Sequence, residues 1–308
     1  MCCLFGFHDY GHSLTRKQRS TILSVLSVAC EERGTDATGI AYNAANKLCI
    51  YKRPLPARFM WFRVPEKSNI AMGHTRMAIQ GAEHRNYNNH PFPGKAGKTA
   101  FALAHNGVLH NDARLRGKMQ LPATKIETDN YIAVQLLERS GDLSFESLQF
   151  MAEQLEGSFT FTVLSEKDDL YFVKGDNPMC IYHYPVRGLY LYASTEEILK
   201  KAIRRLPFDL GTPVRVDIRC GELLRIDRYG NMSRNHFDAS NLFPRLYDPW
   251  ADWQRLGMCS APEDQEDYLN DLKSVAACHG LFPEDVDKLL ADGYTTEDIE
   301  DYLYCGVI

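Results

Sequence analysis

The sequence predicts a layered α+β domain followed by a small acidic helical extension. Three observations carry that expectation. Strand-like and helix-like stretches come in groups and not in strict alternation, which argues against a doubly wound parallel sheet. The 308 residues suffice for one large domain or two smaller ones. The charge is also unevenly spread: Ser260–Ile308 holds 13 acidic and 2 basic residues, against 27 acidic and 33 basic in the remainder. Such an asymmetry marks a separate module or tail. The expected organisation is a main domain over 2–240, a linker over 241–262 and the acidic helical extension over 263–308.

Residues 14–32 read as an amphipathic helix. Ile22, Leu23, Leu26, Ala29 and Cys30 recur at helical spacing, Ser13 is a candidate cap, and Gly34 follows the end. Thr38–Tyr42 and Leu48–Lys52 read as a hairpin around a polar Asn-rich turn. Ile70–Thr75 and Phe101–His105 are short apolar runs ending in polar residues, as strands that deliver side chains to a site would be. The Gly/Pro/Asn-rich stretch Gly81–Gly97 between them reads as a loop, where binding residues concentrate. Asp129–Arg139 is expected as a helix with Ile132, Ala133, Leu136 and Leu137 inward. Ser158–Leu164, Leu170–Lys174, Leu189–Ala193 and Glu222–Asp227 read as strands, and Thr195–Arg205 as a helix capped by Thr195. The extension offers three short helices, Glu263–His279, Pro283–Ala291 and Thr295–Tyr304, with Pro283 suited to a first helical position.

Composition narrows the function classes. The apolar fraction of 44% and charged fraction of 24% are ordinary for a globular protein. No run approaches the roughly 20 apolar residues that span a bilayer. Asp9, His12 and Arg16 follow the apolar start too soon for a signal peptide. The nine cysteines are scattered, odd in number and form no C-x-x-C pair, so reduced thiols in a cytoplasmic protein are expected. No Cys, His and acidic cluster has metal-ligand spacing, so neither metal nor cofactor is expected. Gly94–Thr99 misses the spacing of a phosphate-binding loop. The basic and aromatic residues of Arg53–Arg63 read as a hairpin flank and not as a nucleic-acid surface, and no membrane partner is expected.

The chain opens Met1-Cys2-Cys3-Leu4-Phe5-Gly6. Once Met1 is removed, the Cys2 thiol lies beside a free α-amine whose ordinary pKa is near 8, so one residue holds both nucleophile and base. The plainer reading is a small apolar residue opening a buried strand. Four further segments weigh against it: Arg33-Gly34-Thr35-Asp36-Ala37-Thr38-Gly39; Gly73-His74-Thr75-Arg76-Met77-Ala78-Ile79-Gln80-Gly81 with Asn88-Asn89-His90-Pro91; His105-Asn106-Gly107; and Glu127-Thr128-Asp129. With the start, these resemble in order and spacing the class II glutamine amidotransferases, and most of all the glutaminase domain of glucosamine-6-phosphate synthase. The resemblance covers roughly residues 2–235. It implies the four-layer αββα sandwich of the N-terminal-nucleophile hydrolases and hydrolysis of the glutamine side-chain amide through a Cys2 thioester.

The chemistry assigns candidate roles. Asn106 offers a side-chain N–H and Gly107 a backbone N–H to an oxyanion, though Asn-Gly is also a common turn. Arg76 has the planar fork that suits an α-carboxylate, and Asp129 the charge that suits an α-ammonium; a surface ion pair and a first-turn helix acid are the plain alternatives. Arg33 and Gly34 are expected to order the neighbourhood of the nucleophile, and His90 falls at a family position near the substrate loop. Cys3 and His74 are expected to be structural. The chain departs from the synthase pattern at Met77-Ala78-Ile79-Gln80, where that family reads Trp-Ala-Thr-His. Ile79 and Gln80 thus occupy substrate-contact positions, but Ile79 has no side-chain donor.

The leading expectation is a stand-alone glutaminase, or the glutaminase subunit of a separate ammonia-acceptor enzyme, with L-glutamine or a γ-glutamyl compound as ligand. The residues beyond the domain are too few for the sugar-phosphate half of the synthase. The alternatives are a γ-glutamyl amide hydrolase, which the loss of the Thr-His pair motivates, and a non-catalytic binding protein on the same scaffold. A homo-oligomer is left open.

Overall fold

The computed structural model describes residues 2–45 and 47–242 and, further on, 282–296 with Leu269, Leu272, Lys273, Ala276 and Ile299. Contacts divide the chain into two compact units, 1–244 and 245–308.

The first unit holds two antiparallel sheets. One has seven strands: β1 (Cys3–Asp9), β2 (Ala37–Ala44), β3 (Lys47–Arg53), β4 (Ile70–Arg76), β9 (Cys180–Tyr184), β10 (Leu189–Ala193) and β11 (Val214–Val216), in the order β11-β9-β10-β1-β4-β2-β3. The other has six: β5 (Phe92–Ala96), β6 (Thr99–Leu109), β7 (Gly157–Ser165), β8 (Leu170–Lys174), β12 (Glu222–Ile226) and β13 (Met232–His236), in the order β13-β12-β8-β7-β6-β5.

The period of two along each strand sorts side chains into separate cores. Leu4, Met72, Tyr190 and Tyr192 of the first sheet meet Ala102, Ala104, Leu164 and Phe172 of the second in the middle of the sandwich. The alternate residues Phe5, Phe7 and Leu191 pack under helices α1 (Arg16–Cys30) and α5 (Glu196–Arg204). Phe101, Leu103, Phe161 and Val163 pack under α3 (Tyr131–Ser140) and α4 (Phe145–Gln154). The layers therefore run helices, sheet, sheet, helices, the expected αββα order. A short helix α2 (Asp112–Lys118) follows β6.

Several local expectations are corrected. Thr15 caps α1, and Gln18 completes a capping box. Ser13 instead gives its N–H and hydroxyl to the buried Asp9 carboxylate. The Gly81–Gly97 stretch is only partly loop, since Phe92–Ala96 forms β5. That strand lies at a sheet edge, where Pro93 can be tolerated. Helices α2 and α4 and strands β9, β11 and β13 are additions to the sequence reading. Ser158–Leu164 lies within β7 as expected, and its Thr160 and Thr162 are fully buried.

In the second unit, α6 (Pro283–Ala291) begins with proline in its first turn, as expected. Val286 packs with Leu272, Ala276 and Ile299. The expected linker and most of Glu263–His279 and Thr295–Tyr304 lie outside the described residues. Among the described residues, no helix is long and apolar enough to cross a membrane.

Candidate active site

Two central strand pairs bring the candidate residues together. In the first sheet, β1 and β4 are antiparallel with Cys3 opposite Thr75. One further step of that register sets Cys2 beside Arg76. In the second sheet, β6 carries Asn106 opposite Thr160 of β7 and Gly107 opposite Phe159. A cavity of about 130 Å³ lies between these strand ends, lined by Cys2, Arg76, Ile79, Gln80, Asn106 and Asp129 among others. His90 and Gly107 also border it.

Cys2 is half-buried, and its Sγ lies 3.6 Å from the Met77 carbonyl oxygen. Burial pushes its thiol above the ordinary range, against that carbonyl contact and the Arg76 charge. Arg33 Nε donates to Cys2 O at 3.0 Å, so it holds the nucleophile's backbone without bordering the cavity. Gly34 also stands behind the cavity wall: a Cβ there would collide with the backbone of Arg76 and Met77. Cys3 is fully buried in the core under α1, with its sulfur 3.0 Å from that of Cys30.

Asn106 is completely buried, and neither its amide nitrogen nor its amide oxygen has a hydrogen-bond partner. A buried amide left unsatisfied is costly unless something fills the site. Gly107 has φ +144°, and a Cβ there would overlap Ser158 O. Only glycine therefore fits this bend in β6.

Arg76 is turned toward its own loop. Its guanidinium donates to Asn89 Oδ1 at 2.7 Å and to the carbonyls of Gln80 at 2.5 Å and Gly81 at 2.6 Å. The same loop is tied down at Gln80, whose Nε2 donates to Glu127 O at 3.0 Å. Asp36 Oδ2 accepts from Ala78 N at 2.7 Å. Met77 and Ile79 remain 50% and 68% exposed, so the loop presents apolar side chains outward.

Asp129 lies just before α3, buried, with Oδ2 accepting from Leu109 N at 2.6 Å. Burial raises its carboxyl above the ordinary range, while the Leu109 amide and the Arg76 charge oppose the rise. His90 is fully enclosed, its ring 4.3 Å from both the His74 and Phe92 rings, and neither ring nitrogen has a partner. His74 bonds His105 O through Nε2 at 2.9 Å, and His105 stacks on Phe161. Burial lowers His74 and His105 to about 3, and His90 well below its usual value. All three are neutral at pH 7, so none supplies a positive charge to the cavity.

Sequence reasoning did not single out Val108, Thr128, Asn130, Ser158 or Asn177, which also line the cavity. Thr128 stands inside the Glu127-Thr128-Asp129 segment without a role of its own, and for Asn130 adjacency to Asp129 was the signal. Ser158 and Asn177 are held together by a 2.5 Å bond from Asn177 Nδ2 to Ser158 Oγ. They come from segments with no motif of their own. Among the described residues, no group of three or more His, Cys, Asp or Glu is placed to hold a metal ion.

Comparison with known proteins relates the chain to glutamine amidotransferases. Residues 60–208 match a family model described as a glutamine amidotransferase domain. A glutamine–fructose-6-phosphate aminotransferase (isomerizing) of Staphylococcus epidermidis is 29% identical over 191 residues, which cover 59% of this chain and 30% of that protein. The Staphylococcus aureus enzyme of the same name is 29% identical over 192 residues, with the same coverage. This chain thus spans about a third of the length of the curated relatives it matches. Among solved structures, the glutamine phosphoribosylpyrophosphate amidotransferase of B. subtilis superposes with a TM-score of 0.60 at 21% identity, over 78% of this chain and 50% of that one. A structure titled as the allosteric regulatory enzyme of purine biosynthesis gives 0.61 at 22% identity, with the same coverage. At these identities the likeness concerns the fold.

Proposed function

We propose that this chain, whose residues 60–208 match a glutamine amidotransferase domain, works as a class II glutaminase that hydrolyses the side-chain amide of glutamine through a Cys2 γ-glutamyl thioester. One observation carries the reading: the cavity that holds Cys2 also holds Asn106, a fully buried amide with no partner. A donor left unpaired in a buried site is suited to an oxyanion that exists only during reaction.

The steps follow from the groups present. With Met1 removed, the α-amine of Cys2 takes the thiol proton. The sulfur attacks the amide carbon, and the oxyanion is held by the Asn106 side chain and the Gly107 N–H. The α-amine then protonates the leaving nitrogen, ammonia departs and a thioester remains. Water, activated by the same amine, releases glutamate and the thiol. Asp129 and Arg76 anchor the two charged ends of the amino acid.

The ammonia is released to solvent or passed to a separate acceptor enzyme. The relatives' names couple glutamine to fructose 6-phosphate, but the matched part is under a third of those proteins. The separate acceptor enzyme is part of this proposal, and the acidic extension is its proposed dock. Deleting residues 260–308 should abolish co-purification of that partner; unchanged recovery defeats the docking role.

A second reading, a γ-glutamyl amide hydrolase, is favoured by Ile79, which stands exposed at the cavity and offers no side-chain donor. Turnover of L-glutamine against γ-glutamyl dipeptides separates the two.

The central test is trapping with 6-diazo-5-oxo-L-norleucine, read by intact mass. A single adduct on a chain lacking Met1, absent in Cys2→Ala, is expected together with ammonia release. A processed protein that neither labels nor releases ammonia overturns the reading.

A further inference from the structure

Ser158 and Asn177 border the cavity together with Asn106 and Gly107. The chain leaves β8 at Lys174 and is fastened to β7 by its next residues. Asp176 Oδ1 accepts from Phe159 N at 2.9 Å, and Thr160 Oγ1 donates to Asn177 O at 2.7 Å. Phe159 and Thr160 lie opposite Gly107 and Asn106 in the β6–β7 register. Residues 176 and 177 are thus tied to the two β7 positions that pair with the proposed oxyanion donors.

Their side chains form a hydrogen-bond relay that runs in a single direction. Ser158 Oγ donates to Asp176 Oδ2 at 2.6 Å, and Asn177 Nδ2 donates to Ser158 Oγ at 2.5 Å. A carboxylate only accepts, so the serine proton is spent on Asp176. The serine oxygen then has only lone pairs to offer Asn177, which must present its N–H2. An amide turned the other way would set two oxygens against each other with no proton between them. The Asn177 amide oxygen is therefore the end left to the cavity, and among the described residues nothing donates to it. Asn177 is only 8% exposed, so an unmet acceptor there is costly unless a ligand supplies a donor.

A carboxamide under attack supplies one. Its carbonyl oxygen takes the Asn106 and Gly107 donors, while its nitrogen carries hydrogens that an enclosed site must also satisfy. We propose that Asn177 Oδ1 accepts an N–H of the scissile amide, with Asp176 and Ser158 as positioning residues that fix the direction of the Asn177 amide. The inference rests on the glutaminase reading and deepens it: the acceptor selects amides over the corresponding esters and acids, which carry oxygen in place of that N–H. The bond forms on binding and strengthens as the nitrogen takes a proton from the Cys2 α-ammonium and becomes positive. The C–N bond then breaks, its electron pair leaves with ammonia, and Asn177 itself exchanges no proton.

The test compares L-glutamine with the γ-methyl ester of L-glutamate, which has the same acyl group and no N–H on its leaving atom. Both give the same thioester, so kcat/KM compares acylation alone. Asn177→Leu keeps the approximate shape and removes the acceptor. It should lower kcat/KM for L-glutamine by about tenfold or more, the loss of one hydrogen bond to a group that becomes charged, and leave the ester within about twofold. Asp176→Asn reverses the relay: the new amide nitrogen donates to Ser158 Oγ, the serine proton turns to Asn177 Oδ1, and the Asn177 N–H2 meets the substrate nitrogen. Asp176 is exposed, and the nearly isosteric change keeps an acceptor for Phe159 N, so this second variant should fold and show the same amide-selective loss. Equal losses on amide and ester would mean a structural role and overturn the acceptor, as would no loss on either.

Calorimetric binding of the two ligands to Cys2→Ala makes the same comparison without turnover. A preference for L-glutamine that weakens in Cys2→Ala/Asn177→Leu supports the acceptor even if the wild type releases no ammonia, in which case only the glutaminase reading falls. Equal affinity of Cys2→Ala for both ligands overturns the acceptor even if the wild type is active.

Discussion

The cavity has two walls, and they are built differently. One wall is strand: Cys2 directly precedes β1, at the centre of its sheet, and Asn106 and Gly107 sit within β6, paired to β7. The other is loop: residues 77–81 leave the end of β4, expose Met77 and Ile79, and are held by Arg76, Asp36 and Glu127. The strand wall has the unpaired Asn106 amide, whereas the loop wall's side-chain donors are already committed to the Gln80, Gly81 and Glu127 carbonyls and to Asn89. Pairing within sheets fixes positions to the tolerance that oxyanion stabilisation needs. A hydrogen-bonded loop can trade partners when a ligand arrives. We propose that the strand wall sets whether reaction occurs and the loop wall sets what reacts.

The largest effect should come from the strand wall. Asn106→Ala removes one oxyanion donor and should lower kcat by about 10²- to 10³-fold with little change in KM. Steady-state ammonia release measures it. A fall in kcat below about fivefold would mean that the unpaired amide is not aimed at the reacting oxygen, and the contrast between walls would lose its basis.

Arg76 comes next, as a test of the loop wall. Lysine keeps the charge but cannot donate to Asn89 Oδ1 and two carbonyls at once. Arg76→Lys should raise KM for L-glutamine by roughly tenfold or more, one to two lost charge-assisted bonds, and leave kcat within a few-fold. A kcat loss as large as that of Asn106→Ala would show that Arg76 serves the reacting centre as well as the loop.

The same division explains what could be read in the sequence. Asn106-Gly107 and Cys2 stood out because the proposed chemistry calls for those residue types, and Gly107 is held at φ +144° where a Cβ does not fit. The layered fold was legible because strands such as β7 and helices such as α5 carry clear periods. Strand β5 was hidden by Pro93 and Gly94, which speak against a strand. An edge position tolerates the proline, and the Phe101 ring fills the space a Gly94 Cβ would take. Ser158 and Asn177 were unreadable because only the pairing of distant segments brings them to the cavity. Arg76, expected as an α-carboxylate anchor, lines the cavity, but its present partners depend on loop geometry that no motif encodes.

Acidification separates the walls by a smaller margin. The Asp129 carboxyl has a raised pKa in the folded protein, chiefly through burial. A carboxylic acid whose pKa is higher folded than unfolded gives the fold its greatest stability below the unfolded value, and that stability is lost as pH rises through the folded value. At neutral pH the charged Asp129 therefore costs stability, which the proposed ligand binding would offset. KM for L-glutamine should rise as pH falls toward the raised value, starting above the ordinary carboxylate range, while kcat changes less. Asp129→Asn should have a high KM with no acid limb and a urea midpoint equal to or above wild type. A lower midpoint would mean that the carboxylate holds the Leu109 segment more than it serves a ligand.

The smallest effect expected is at Ile79, and it sharpens the comparison most. The residue is two-thirds exposed and contributes no side-chain donor, so Ile79→Thr adds a hydroxyl at the cavity mouth without disturbing a packed core. Under the glutaminase reading the new donor should lower KM for L-glutamine by a few-fold, about one neutral hydrogen bond, and leave kcat unchanged because the strand wall is untouched. Under the γ-glutamyl hydrolase reading the exposed isoleucine packs against the substituent on the amide nitrogen. The same change should then weaken γ-glutamyl dipeptides and leave free glutamine alone. A kcat change with either substrate would couple the loop to the strand ends and erase the distinction between a wall that reacts and a wall that selects.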